Sequence, residues 1–150
     1  MKNWLDLPPI WLLAALAVAW WQSAQFSMGL SFGGQWADFI GGLLVGGGII
    51  LMLLAVYEMN RRKTTIVPHR EASALVQSGI FSRSRNPIYL GDALVLLGLI
   101  FYWDAVLSLP LVPIFVWIIE RRFIIPEENR LRRKFRADFA RYEQKVRRWL

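Results

Sequence analysis

The chain has 150 residues, 55% of them hydrophobic, with 18 Lys and Arg against 11 Asp and Glu, a formal net charge of +7, and no cysteine. At this length one domain is expected, spanning residues 1–150, and the missing cysteines exclude disulfides, thiol nucleophiles, thiolate zinc sites and iron–sulfur clusters; with His69 the only histidine, no metal site is expected and no Ser-His-Asp triad has a nucleophile elbow near it. A soluble domain has about 45–50% apolar residues, and here the excess lies in long runs almost free of charge, so the chain reads as an all-α integral membrane protein.

The first apolar run covers about residues 10–28 and starts after Pro8-Pro9, a pair suited to a helix entry. A cleaved leader peptide would also begin with a lysine and an apolar stretch, but Trp20 and Trp21 fit an interfacial aromatic belt better than the approach to a cleavage site. The second run, about 38–58, carries no charge between Phe39 and Tyr57 and is long enough for a hydrocarbon core of ~30 Å. Small residues four apart, such as Gly42 and Gly46, predict close helix packing, within the chain or across a homodimer. From Ile88 to Ile119 the apolar stretch is too long for one comfortable span, and Asp104 divides it into segments of about 88–103 and 105–121.

Charge chooses a hairpin for that stretch. Lys2 precedes the first run; Arg61, Arg62, Lys63, Arg70, Arg83 and Arg85 lie between the second run and Ile88; every other basic residue lies from Arg121 onward. Four spans put all of them on one side, with only Asp38 and Asp104 in the opposite loops. A single span over 88–119 would instead put the basic tail on the wrong face. The expectation is therefore a multi-pass protein with both termini in the cytoplasm, a cytoplasmic loop at 59–87 and a cytoplasmic tail at 122–150.

The loop is basic and broken by Pro68, Gly79 and Pro87. In the tail, Leu131, Phe135, Phe139, Tyr142 and Val146 recur at spacings of four and three, which predicts an amphipathic helix starting near Pro126. Glu127 and Glu128 fall in its first turn, where carboxylates meet the positive end of the helix dipole. Membrane lipids are the nearest anionic partner for its basic face. Nucleic acid is not expected, since no recognition motif accompanies the charge.

The order L-V-Q-S-G-I-F-S-R-S-R-N-P-I-Y-L-G over residues 75–91, then P-E-E-N-R-L and F-x-x-x-F-x-x-Y-x-x-x-V-R-R-W, resembles the isoprenylcysteine carboxyl methyltransferase and phospholipid methyltransferase superfamily. The likeness runs from about Thr64 to Leu150; the first two helices are similar in hydrophobicity only. It implies an enzyme dependent on S-adenosyl-L-methionine, releasing S-adenosyl-L-homocysteine, with a pocket built by the basic loop, the cytoplasmic helix ends and the tail. Carried across, the motif falls on Gly79, Arg85, Asn86, Pro87, Tyr89 and Gly91, and the acidic pair on Glu127 and Glu128. Asn86 stands where eukaryotic carboxyl methyltransferases have His, Arg136 where the family often has Gly, and Phe139 where it often has Tyr.

The residue chemistry is compatible with that implication. Arg85 can pair with the carboxylate of the cofactor's amino-acid tail. Glu127 and Glu128 can accept hydrogen bonds from its ammonium or ribose. Pro87 biases Asn86 away from helical geometry, so that its amide can face a ligand with Tyr89 closing the pocket, while Gly79 and Gly91 permit close backbone approach. Asp92, an ionisable group one turn inside a membrane helix, is a functional candidate by default. Arg85, Glu128 and Asp92 are the expected catalytic residues, and His69 is either a cofactor contact and base near neutral pH or a solvated loop residue. The expected acceptor is a lipid or lipidated molecule: a prenylcysteine-type carboxylate, a phospholipid amine or a relative. Two other readings fit the architecture. One is a nicotinamide-dependent reductase of the steroid reductase type, though its R-H-P-N-Y-x-G block has Asn where this chain has Ile88. The other is a non-catalytic subunit binding lipid or a partner through its basic tail.

Overall fold

The computed structural model describes residues 7–26, 28–29, 31–62 and 75–149. Among them are six α-helices and no strand: α1 Pro8–Gln25, α2 Gln35–Arg61, α3 Pro87–Tyr102, α4 Leu111–Ile119, α5 Ile125–Phe135 and α6 Ala137–Lys145. Short 3₁₀ turns at Gly79–Ser82 and Val106–Ser108 and a π turn at Glu120–Ile124 complete the path. No side chain caps a helix N-terminus among these six; α1, α3 and α5 instead carry proline in their first two positions, where the missing N–H is not needed.

Helix α2, with 27 residues, is long and apolar enough to cross a membrane, and α3 is a shorter apolar helix. The chain doubles back repeatedly. Tyr89 at the start of α3 lies beside Phe123, with ring centroids 6.5 Å apart, so α3 and the α4 helix run antiparallel from a turn at Asp104, whose φ is +56°. Asp104 also accepts the Phe32 amide at 2.7 Å, joining the 31–34 turn to the α3–α4 turn. At that same end Ser108 donates to Gln22 of α1 at 2.8 Å. At the other end Arg122 stands over the Trp11 ring, 5.4 Å from its centroid, so α1 runs antiparallel to α4. The last basic residue of α2, the RSRN segment and Arg121-Arg122 therefore gather at one end of the bundle.

Helices α2 and α3 meet backbone to backbone. A Cβ on Gly41 would lie 2.5 Å from the Gly98 carbonyl oxygen and one on Gly48 2.6 Å from that of Gly91; from the other side, a Cβ on Gly91 or Gly98 would lie 2.6 Å from the Gly48 or Gly41 oxygen. The close packing is thus internal but uses glycines seven apart. Gly42 and Gly46, the expected pair, have nothing within 4 Å on their Cβ side.

Three boundaries differ from expectation. The first helix stops at Gln25 rather than near residue 28, where Met28 and Gly29 turn the chain with φ of +52° and +71°. The fourth begins at Leu111 rather than 105, because the Asp104 turn and the Val106–Ser108 3₁₀ turn come first, and it does not stop at 121. It runs through the π turn into α5. Pro126 explains the irregularity: it has no N–H for the carbonyl four residues back, and the register loosens by one residue around that gap. The expected single tail helix is two, broken at Arg136 with φ +46°.

Two clusters form the core. Leu96, Ile100, Ile119, Phe123, Ile124 and Ala19 are fully buried between α1, α3 and α4. Phe139, Tyr142 and Val146 close on Leu75, Leu131 and Phe135, folding α6 back over α5. Each large apolar side chain buried in that second cluster contributes about 1.5–3 kcal/mol.

Candidate functional site

The Arg85-Asn86-Pro87 segment enters α3 under direct control of the tail. The Arg85 amide donates to the Arg147 carbonyl at 3.0 Å, and the Asn86 side-chain amide to the Arg148 carbonyl at 3.0 Å. Asn86 has φ −135° and ψ 60°, outside the helical region as Pro87 demands. Its amide donor thus meets the tail backbone. Pro87 is buried at the first position of α3.

Within the first turn of α3, α5 brings its acidic pair to the same place. The Tyr89 hydroxyl donates to Glu127 Oε1 at 2.7 Å. Glu128, only 5% exposed, accepts from Arg148 Nε at 2.8 Å and Nη2 at 2.9 Å in a bidentate pair. Arg148 also pairs with Glu120 at 3.0 Å, to which the Trp149 indole donates at 3.2 Å. Arg132 makes a second bidentate pair, with Glu143 at 3.0 and 2.9 Å, and reaches Glu128 at 3.6 Å. These pairs act on protonation. Hydrogen bonds from Arg132 hold the Glu143 carboxyl below its ordinary value of 4.5, and hydrogen bonds to Glu128 hold the Arg148 guanidinium above the ordinary arginine range. Burial raises the Tyr142 hydroxyl, which donates to the Phe81 carbonyl at 2.6 Å and ties α6 to the turn before Arg85.

Arg85 differs from Arg132 and Arg148, the other two arginines of this cluster. It stands 3.7 Å from Glu128 and 3.4 Å from Glu143, yet its Nε and Nη1 are buried and make no hydrogen bond. Nη1 is held by those two ion pairs, which leaves the buried Nε as the donor open to a further acceptor; a buried donor left unmade costs about 1–3 kcal/mol, or more for a charged group. The carboxylate of S-adenosylmethionine, the cofactor implied by the family resemblance, is an acceptor of that kind: Arg85 would hold it, with Glu127 and Glu128 beside it for the ammonium or ribose.

Arg85, Asn86, Tyr89, Glu127 and Glu128 therefore come together. Asp92 lies one turn beyond Tyr89 in α3 and is 7% exposed. The two glycines are occupied elsewhere. Gly91 meets Gly48 of α2, as described, and Gly79, at φ +61°, lies against Glu58, whose Cγ would sit 2.4 Å from an added Cβ. His69 lies outside the described residues. Sequence reasoning did not single out Glu58, Glu120, Arg132, Glu143 or Arg148. Glu58 left the clearest trace, as the acid ending an apolar run: it is 6% exposed and accepts from Ser78 at 2.7 Å, with Arg61 at 3.2 Å. Glu120 stands at the start of the π turn, and Arg132, Glu143 and Arg148 are surface-like residues in a basic tail that only the fold-back at Arg136 brings together.

Compared with known families, residues 36–138 match the model described as phospholipid methyltransferase. No curated protein and no solved structure matches the chain.

Proposed function

The chain belongs to the phospholipid methyltransferase family, matched over more than half its length, and from that premise we propose that it is an S-adenosylmethionine-dependent enzyme that methylates a lipophilic acceptor at the basic end of its helix bundle. When bound, S-adenosylmethionine supplies an electrophilic methyl group on a sulfonium that leaves as a neutral thioether. The chain supplies alignment, the dominant requirement of such a displacement, for which orientation alone is worth roughly 7–11 kcal/mol. Arg85 binds the carboxylate. Glu127 and Glu128 bind the cationic and ribose groups, and Tyr89 orients Glu127. Asp92, one turn deeper, takes the proton when the acceptor is an amine. The buried cluster excludes water, which favours meeting of an anionic acceptor and a cationic donor. The acceptor enters laterally from the bilayer, with four spans and both termini on the cytoplasmic side. The reductase reading loses support, because the matched family is one of methyl transfer.

The buried Nε of Arg85, open beside Glu128, carries this reading. Calorimetric titration of detergent-purified protein with S-adenosylhomocysteine, with NADPH in parallel, tests it. Wild type is expected to bind S-adenosylhomocysteine in the micromolar range, near −8 kcal/mol, and not NADPH. Arg85→Ala is expected to lose at least tenfold by removing a charge-assisted hydrogen bond worth about 1.5–3 kcal/mol. Binding of NADPH alone would move the chain to the reductases, and binding of neither would leave a non-catalytic lipid-binding subunit.

A further inference from the structure

After α6 the chain leaves the helix at Val146, whose backbone is extended with φ −128° and ψ 129°, and residues 146–149 meet the entry to α3 as a strap. The Arg147 carbonyl accepts the Arg85 amide, the Arg148 carbonyl accepts the Asn86 side-chain amide, and the Arg148 guanidinium grips both oxygens of Glu128. We propose that Arg148 is a positioning residue of the cofactor site: it fixes Glu128 for the ammonium of the amino-acid tail, while the strap to which it belongs fixes Arg85 for the carboxylate. This rests on the methyltransferase reading and deepens it by dividing the two ends of one amino-acid group between Glu128 and Arg85.

Arg148 is itself held from two sides. Besides Glu128 it pairs with Glu120 of the π turn at 3.0 Å, and the next residue, Trp149, donates its indole N–H to the same Glu120 at 3.2 Å while packing against the main core cluster. So anchored, the guanidinium meets the Glu128 carboxylate as a planar fork, a geometry that a point charge lacks. Arg85 and Arg132 stand at ion-pair distances of 3.7 and 3.6 Å from Glu128, beyond hydrogen-bond reach. Among the described residues it is therefore the fork that sets the carboxylate plane. A carboxylate offers about four acceptor sites, and the fork takes one on each oxygen, which leaves both able to accept from an ammonium. Carboxylate and ammonium are borne on a single carbon of the cofactor's tail, so two protein groups as close as Arg85 and Glu128 suit them together, and the ribose is left to other partners.

Calorimetric titration of the full chain in detergent tests this, with S-adenosylhomocysteine and 5′-methylthioadenosine as probes; the second has the nucleoside and the thioether but no amino-acid tail. Arg148→Met, which keeps an apolar stem and removes the fork, is expected to weaken S-adenosylhomocysteine about tenfold, the scale of one charge-assisted hydrogen bond, and to leave 5′-methylthioadenosine unchanged. A residue with a merely structural role would weaken both probes together. Arg148→Lys keeps a cation beside Glu128 and Glu120, which preserves the fold, but does not present a fork to both oxygens. It is expected to show the same selective loss in smaller degree. Arg133→Gln, at an exposed position of the same tail, is expected to change neither affinity. Equal loss of the two probes in Arg148→Lys, or undiminished S-adenosylhomocysteine binding in Arg148→Met, would overturn the proposal and leave the methyltransferase reading intact. Wild type binding neither probe would overturn both.

Discussion

Glu143 ties three segments together through its carboxylate, which is bonded twice by Arg132 and lies 3.4 Å from Arg85. Because those partners favour the ionised form, its folded-state pKa lies below the ordinary 4.5. The stabilisation of the α5–α6 fold-back is then fully present above about pH 4.5 and is lost as the pH falls through the depressed value. Limited proteolysis of the tail is expected to show protection at pH 7 and progressive cleavage below pH 4. Glu143→Gln, which removes the charge, is expected to flatten that pH dependence. None of this pairing was readable from residue order. Arg85 and Glu128 could be picked out because a family resemblance assigns them a place in the cofactor pocket, whereas Arg148 falls within the resembling V-R-R-W stretch with no role attached to it and Glu143 is not one of the motif positions. A basic, polar tail gives no sign of which charges will face inward. The fold-back depends on Arg136 adopting a left-handed backbone, an arrangement costing about 1–2 kcal/mol in a non-glycine residue. The only hint was that related chains often have glycine there.

Packing of α2 on α3 depends on four glycines, not on the abundance of glycine. Gly48→Ala would drive a methyl group to 2.6 Å from the Gly91 carbonyl oxygen, and backbone cannot step aside as a side chain can. The expected loss is about 1–3 kcal/mol of overpacking, seen as a lower midpoint of thermal unfolding in detergent. Gly46→Ala, facing open space, is expected to leave the midpoint unchanged or raise it. The sequence showed a glycine-rich helix and pointed to the pair four apart. The contacting pairs are seven apart in each helix, a spacing that returns to one face over two full turns and suits two long helices lying side by side. Which of two glycine faces becomes the contact face depends on the partner helix, where Gly91 and Gly98 repeat at the same interval. Helix ends were less legible than helix existence: the 3₁₀ turn at Val106–Ser108 and the π turn at Glu120–Ile124 carry no hydrophobic signature of their own.

At the scale of the whole molecule, segregation of charge was the most legible property, because every arginine and lysine must avoid the bilayer core wherever it occurs in the chain. The native sequence contains no cysteine, so topology can be mapped without a prior substitution. Single cysteines at Asp38 and Arg133 are expected to react with a membrane-impermeant maleimide from opposite sides of sealed vesicles. Labelling from the same side would contradict three spans between these two positions. What charge could not convey is how the apolar half and the basic half are angled to one another. That is governed by the π turn, the one irregular turn in an otherwise continuous helical path from Leu111 to Phe135. Were the same residues wound as a regular helix through this turn, all that follows would be rotated by about 100°. The bundle would still assemble, but Glu127 and Glu128 would swing away from Tyr89 and Arg85. The π turn is thus the timing mark of the protein, an angular offset that sets two independently sound halves in phase.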